Sequence, residues 1–169
     1  MASLKKMTLG EFLQEAIRIE KMAADIYRDL AEVFGKRKNI SAFWSGLMED
    51  ELTHAAMLEK SRSALADKDL KSPVDLSMLL KIQEVNKFIK GNPLRQIQDL
   101  DDAFELAHEI EFSEVNVIFK FLTFDLVPWI YQQDLIENML QIHQQKLIHF
   151  DEAFGDKKWR KTIKVNIKV

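Results

Sequence analysis

Cysteine is absent from the 169 residues. Disulfides, thiolate zinc sites, iron–sulfur clusters and cysteine nucleophiles are therefore excluded together. Any metal chemistry is left to Glu, Asp and His. Long apolar runs are also missing. The most apolar window, residues 115–131, is broken by Lys120, Asp125 and Pro128, which argues against a membrane span. Neither sign of charge dominates, since 24 basic residues face 27 acidic ones for a net charge of -3. Such near-neutrality gives no reason to expect nucleic acid as a partner. The opening Met1-Ala2-Ser3-Leu4-Lys5-Lys6 has no apolar segment behind its charges, so no signal peptide is expected and a cytoplasmic location is. What remains is an ordinary composition, 47% hydrophobic and 30% charged. A chain of this size buries about two thirds of the surface its unfolded form exposes, so it needs no metal merely to stay folded. A bound metal would be functional.

Glycine and proline are scarce, with five and three copies, and they punctuate long helical segments. Thr8-Leu9-Gly10-Glu11 is a capping-box pattern that opens a first helix running to Gly35, with Phe12, Ala16, Ile19, Ala23, Ile26 and Leu30 at helical spacing. After the basic turn Gly35-Lys36-Arg37-Lys38, Asn39 or Ser41 is expected to cap a second helix reaching about Ala66. So short a connection reverses the chain, and the two helices form an antiparallel hairpin. The stretch from Asp67 to Gln98 reads as a crossover containing a short helix, bracketed by Pro73, Gly91 and Pro93. A third helix starts near Asp99 to Asp102 and continues to about Phe124. Pro128 opens a fourth that runs to Phe154, with Gly155 as its stop. Two hairpins joined by one long crossover make an all-α, four-helix bundle of ferritin-like topology over residues 1–155. Residues 156–169 form a basic C-terminal tail whose alternation is strand-like, expected to lie loosely on the surface, with strand exchange as the sharper alternative.

Polar residues on the apolar face of a long helix must be satisfied there. In the first helix, Glu20 sits at the centre of the stripe Leu13, Ala16, Ile17, Ala24, Tyr27, Leu30, Phe34. In the second, Glu51 and His54 stand three residues apart on one face. The third carries Glu111, with Glu114 one turn later and His108 one turn earlier, and the fourth carries His143. Singly, a Glu at a stripe edge is usually solvated, and a lone His is usually a satisfied core residue. Together they would repel and pay desolvation, a cost that bound divalent cations offset. A Glu from each of two helices with Glu-x-x-His on the others is the di-iron or di-manganese carboxylate pattern of ferritin-like bundles. Oxygen and imidazole donors suit iron and manganese, with zinc another occupant. An internal repeat aligns Ala16-Ile17-Arg18-Ile19-Glu20 with Ala107-His108-Glu109-Ile110-Glu111. Aligning His54 with His143 puts Leu140 opposite Glu51, so one carboxylate is gone.

At these residues the chain resembles the rubrerythrin branch of the ferritin-like superfamily, from Thr8 to about Phe154. The resemblance rests on Glu20 with Tyr27 seven residues on, on Glu51-Leu52-Thr53-His54, and on Ile110-Glu111-Phe112-Ser113-Glu114. It implies Glu20, Glu51, His54, Glu111 and His143 as iron ligands, with Glu114 as an alternative ligand. It further implies a di-iron oxidoreductase acting on peroxide or dioxygen, in which Glu51 and Glu111 hold the metals together and Glu20 is terminal. Tyr27 is then a catalytic hydrogen-bond donor beside Glu20; its other reading is a packed aromatic. The Cys-dependent rubredoxin-like domain is missing, which implies an external electron donor. Glu114 or His108 could make up for Leu140, Glu137 lies about a turn away but on another face, and solvent could fill the gap; otherwise one metal position is lost. A metal-binding protein without turnover and a metal-free scaffold stay open beside the enzyme. Trp129 and Phe119 to Phe124, if exposed, suggest a homodimer; their other reading is that they fill the bundle.

Overall fold

The capping box at Thr8 forms as its sequence predicts. The Thr8 hydroxyl accepts from the Glu11 N–H at 3.3 Å, and the Glu11 carboxylate accepts from the Thr8 N–H at 2.8 Å. The structure, a computed structural model, describes residues 7–91, 93–112, 119 and 133–165. Its helices are α1 (Leu9–Val33), α2 (Lys38–Ala64), α3 (Asp67–Leu70), α4 (Leu76–Lys90), α5 (Leu100–Glu111), α6 (Gln133–Ile148), α7 (Phe150–Phe154) and α8 (Lys157–Arg160). A 3-10 turn covers Pro93–Gln96, and no strand forms among the described residues. The fold is an all-α, ferritin-like helical bundle.

α1 packs on two sides. One side faces α2 across the antiparallel hairpin, and the other is covered by α4 of the crossover. Leu13, Ala16, Tyr27 and Leu30 are buried, and so are Phe12, Ile19, Ala23 and Ile26 on the adjoining face. Met78, Leu79, Ile82, Val85 and Ile89 form the buried face of α4, whereas Leu76 and Leu80 stay exposed. Arg18 holds the pair together through Glu15 and Asn86. The crossover is stitched to the start of α1 by backbone bonds from Leu9 N–H to Ser72 O, 2.8 Å, and from Val74 N–H to Met7 O, 3.1 Å.

The start of α2 differs from the expected cap. The helix begins at Lys38 without a side-chain cap, and the Ser41 hydroxyl donates across the hairpin to Ala31 O at 2.8 Å. Asp99 caps α5 by accepting from the Asp102 N–H at 3.0 Å. The continuation of the third helix towards Phe124 and the expected start at Pro128 lie outside the described residues. The fourth helix breaks at His149 and ends at Gly155, whose φ of 78° is the left-handed conformation that glycine adopts readily.

Aromatic rings join α2, α5 and α7. Phe43 and Trp44 of α2 meet Phe150 of α7 with centroids 4.9 and 5.8 Å away, and Phe150 stacks on Phe104 of α5 at 4.6 Å. Such pairs contribute about 0.5–1.5 kcal/mol each beyond their buried area. Residues 156–165 are tied to the bundle. Arg160 is buried against Asp101, and Val165 N–H and Ile163 O bond the backbone at Gln98 and Leu100. No described helix is long and apolar enough to cross a membrane.

Candidate metal centre

Helical periodicity delivers five donors to one layer of the core. Glu20 comes from α1, Glu51 and His54 from α2, Glu111 from α5 and His143 from α6, each 2% exposed or less. They fall into two groups, Glu20–Glu51–His54 and Glu51–Glu111–His143, within each of which the donor atoms lie within 4.8 Å of one another. Glu51 belongs to both. The His54 and His143 ring centroids are 5.3 Å apart.

The two groups present different ring nitrogens. His54 turns Nδ1 inward, 3.0 Å from Glu51 Oε2 and 3.7 Å from Glu20 Oε2. His143 turns Nε2 inward, 2.5 Å from Glu111 Oε2 and 3.6 Å from Glu51 Oε1. Glu20 Oε2, His54 Nε2 and both His143 nitrogens are buried without an aligned hydrogen bond. Each such atom costs about 1–3 kcal/mol if it stays unsatisfied. Of these atoms, Glu20 Oε2 and His143 Nε2 face into the groups; converging charged donors of this kind suit a divalent cation, and oxygen with imidazole suits iron or manganese.

The electrostatics agree. Burial pushes the Glu51 and Glu111 carboxyls above their ordinary range, and neighbouring carboxylates add to the push. Burial opposes charge on the imidazoles, but the facing carboxylates prevail. Glu20 and Glu51 hold His54 well above its ordinary value, while Asp50 and Glu111 raise His143 to about 10. Without a cation the centre therefore keeps protons, which a metal would displace.

Tyr27 is fully buried, and its hydroxyl donates to Glu111 Oε1 at 2.5 Å, not to the nearby Glu20. Burial and the charges of Glu111 and Glu51 raise its phenol well above the ordinary value, so it stays a donor. Trp44 stacks on its ring, with centroids 6.2 Å apart and planes 11° from parallel. Phe119, the one described residue of the aromatic set 119–124, is buried 4.5 Å from the His54 ring.

Glu114 and Trp129 lie outside the described residues. His108 is exposed and stacks on Phe112 at 4.4 Å, and Glu137 is exposed, so neither joins the centre. Leu140 is buried at 3% exposure one turn before His143 and offers no donor. One relevant residue escaped the sequence reading. Asp50 Oδ2 stands 3.1 Å from His143 Nδ1, and Lys146 Nζ stands 2.5 Å from the same oxygen. His143 and Lys146 outweigh burial and hold the Asp50 carboxyl below its ordinary range. Its partial exposure makes it read as a solvated neighbour of Glu51, and only the Asp-Glu-x-x-His order hints otherwise.

A ferritin-like bundle with carboxylate and imidazole donors facing inward from α1, α2, α5 and α6 defines the class of protein. The family model described as Rubrerythrin matches residues 11–125, more than half of the chain, which therefore belongs to the rubrerythrin family. That span includes Glu20, Tyr27, Glu51, His54, Glu111 and Glu114 and stops short of α6 with Leu140 and His143. Searches among curated proteins and solved structures give no match.

Proposed function

We propose that the protein binds iron at this centre and acts as a non-haem di-iron oxidoreductase on peroxide or dioxygen, with electrons from an external donor. The observation that carries the reading is the pair of buried three-residue groups sharing Glu51. One residue that reaches both groups can hold two cations close together. Glu20 with His54, and Glu111 with His143, supply the remaining donors on either side. Bound iron would supply electrons and Lewis acidity to an oxygen substrate. The chain's own residues do the rest. Tyr27 fixes the Glu111 carboxylate by hydrogen bonding to one of its oxygens, and Phe119 shields the His54 side from water. Manganese or zinc fits the same donors.

Leu140 favours a second reading, in which the centre holds one ion and handles iron without turnover. Three carboxylates and two imidazoles neutralise two divalent cations incompletely, so the second ion is held less tightly. Metal content per chain after anaerobic loading with ferrous iron separates the readings, with Glu51→Ala as the control. Two irons that are lost in the control support the oxidoreductase, and peroxide consumption by the loaded protein then tests it. One iron supports the mononuclear reading. None above the control removes both and leaves a metal-free scaffold.

A further inference from the structure

The internal repeat that places Leu140 opposite Glu51 also places Met139 opposite Asp50. α2 therefore carries Asp50 and Glu51 where α6 carries Met139 and Leu140. Helix α6 brings an imidazole and no carboxylate at these two places, while α2 supplies carboxylates to both histidines. Asp50 faces the outward nitrogen of His143, and Lys146, one turn beyond His143 on α6, holds the same Asp50 oxygen. At the equivalent place α6 holds Met139, which brings no carboxylate. Neither His143 Nδ1 nor His54 Nε2 makes an aligned hydrogen bond, but an Asp50 oxygen stands 3.1 Å from His143 Nδ1, whereas the Phe119 ring packs against the His54 imidazole. Metal-binding histidines are oriented by what their other ring nitrogen meets, and losing that partner typically weakens metal binding by about 10–100-fold.

We propose that Asp50, anchored by Lys146, is a positioning residue that keeps His143 Nε2 turned towards Glu51 and Glu111, and that this makes the Glu51–Glu111–His143 group the first to take a divalent cation. The inference rests on the metal-binding reading above and adds an order of loading to it. The first ion engages Glu51, so the Glu20–Glu51–His54 group binds its ion with part of the shared carboxylate already committed. Binding is then stepwise and unequal.

Zinc is the probe, because it suits these donors and has no redox chemistry of its own. Nitrogen-15 NMR of the histidine rings, assigned with His54→Gln and His143→Gln, is recorded as Zn2+ is added to the wild-type chain. The expected result is that the first equivalent shifts the His143 signals and the second those of His54. If His54 responds first, or both respond together, the order of loading is wrong. Calorimetry on Asp50→Asn should show the first binding step weakened by about 10–100-fold and the second unchanged, with Asp50→Glu recovering most of the loss. Asp50→Asn binding like wild type, or weakening both steps alike, overturns the positioning role. If wild-type protein binds no Zn2+ at either group, the metal-binding reading itself falls, an outcome distinct from metal binding in the wrong order.

Discussion

Two buried clusters of charge in this chain are built in opposite ways. At the end of the bundle, Arg160 is 3% exposed and donates to Asp101 Oδ1 at 2.9 and 3.1 Å and to Gly155 O at 2.7 Å. It also pairs with Asp151 and lies 4.8 Å from the centre of the Phe104 ring. Lys157 approaches Asp101 Oδ2 at 3.5 Å. Opposite charges meet in that cluster, and the guanidinium is spent on partners the chain provides. The centre between α1, α2, α5 and α6 is the reverse. Carboxylates outnumber imidazoles, and both groups draw on one Glu51. A cluster whose carboxylates each face a cation of the chain is structural, whereas one whose carboxylates converge in excess of such cations is prepared for a cation from outside.

Substitutions should separate the two clusters cleanly. Glu51→Gln is expected to abolish both steps of divalent metal binding while leaving the metal-free protein at least as stable, because it removes a buried carboxyl that burial already disfavours. Calorimetry and thermal melting check this together. Arg160→Ala should do the opposite. Breaking a buried pair costs about 3–5 kcal/mol, or about 10 °C in melting temperature for a chain of this size, with metal stoichiometry unchanged in the folded protein. Metal loss in that variant under folding conditions would mean that the clusters are coupled.

Leu140→Glu sharpens the comparison by restoring the carboxylate that the repeat lacks. We expect the metal-free form to lose about 3 kcal/mol, because another acid is buried among acids. The second metal ion should bind at least tenfold more tightly. Denaturation with and without metal reads both effects. Tyr27→Phe is a smaller change, expected to cost about 1.5–3 kcal/mol through the lost hydrogen bond to Glu111, with both metal steps retained.

The sign of the pH dependence follows from the metal-free centre. His143 is raised from 6.5 to about 10 in the folded chain, so its stabilising contribution is complete below pH 6.5 and is lost as pH rises towards 10. Glu51 and Glu111 are also raised, so above the ordinary carboxyl range their burial weighs against the fold. The metal-free melting temperature should fall as pH rises from 6.5 to 10. The gain on adding metal should grow over the same interval, because ligation displaces protons. Melting curves at several pH values with and without Mn2+ test this. A metal-free melting temperature that rises with pH would contradict it.

Much of the fold was legible because its signals are local. Thr8 with Glu11, Asp99 ahead of α5 and Gly155 after α7 mark helix ends by chemistry contained within a few residues. Glu20, Glu51, His54, Glu111 and His143 were legible as a set because a polar residue inside an apolar stripe has to be satisfied by something. What the pattern hides is pairing across the bundle. Tyr27 was placed beside Glu20 on its own helix, yet its hydroxyl reaches Glu111, 84 positions away. Asp50 meets His143 through a contact between helices, and its half-exposed position resembles any solvated acid. The basic run after Gly155 reads as a loose tail because alternating charge reveals nothing about a buried partner, and Arg160 finds one in Asp101.

The most direct test of the account is anomalous diffraction at the iron edge from crystals loaded anaerobically with ferrous iron. The account predicts iron peaks on either side of Glu51, the stronger beside Glu111 and His143 and the weaker beside Glu20 and His54. Iron found only at surface carboxylates, with no peak within bonding distance of Glu51, would contradict it.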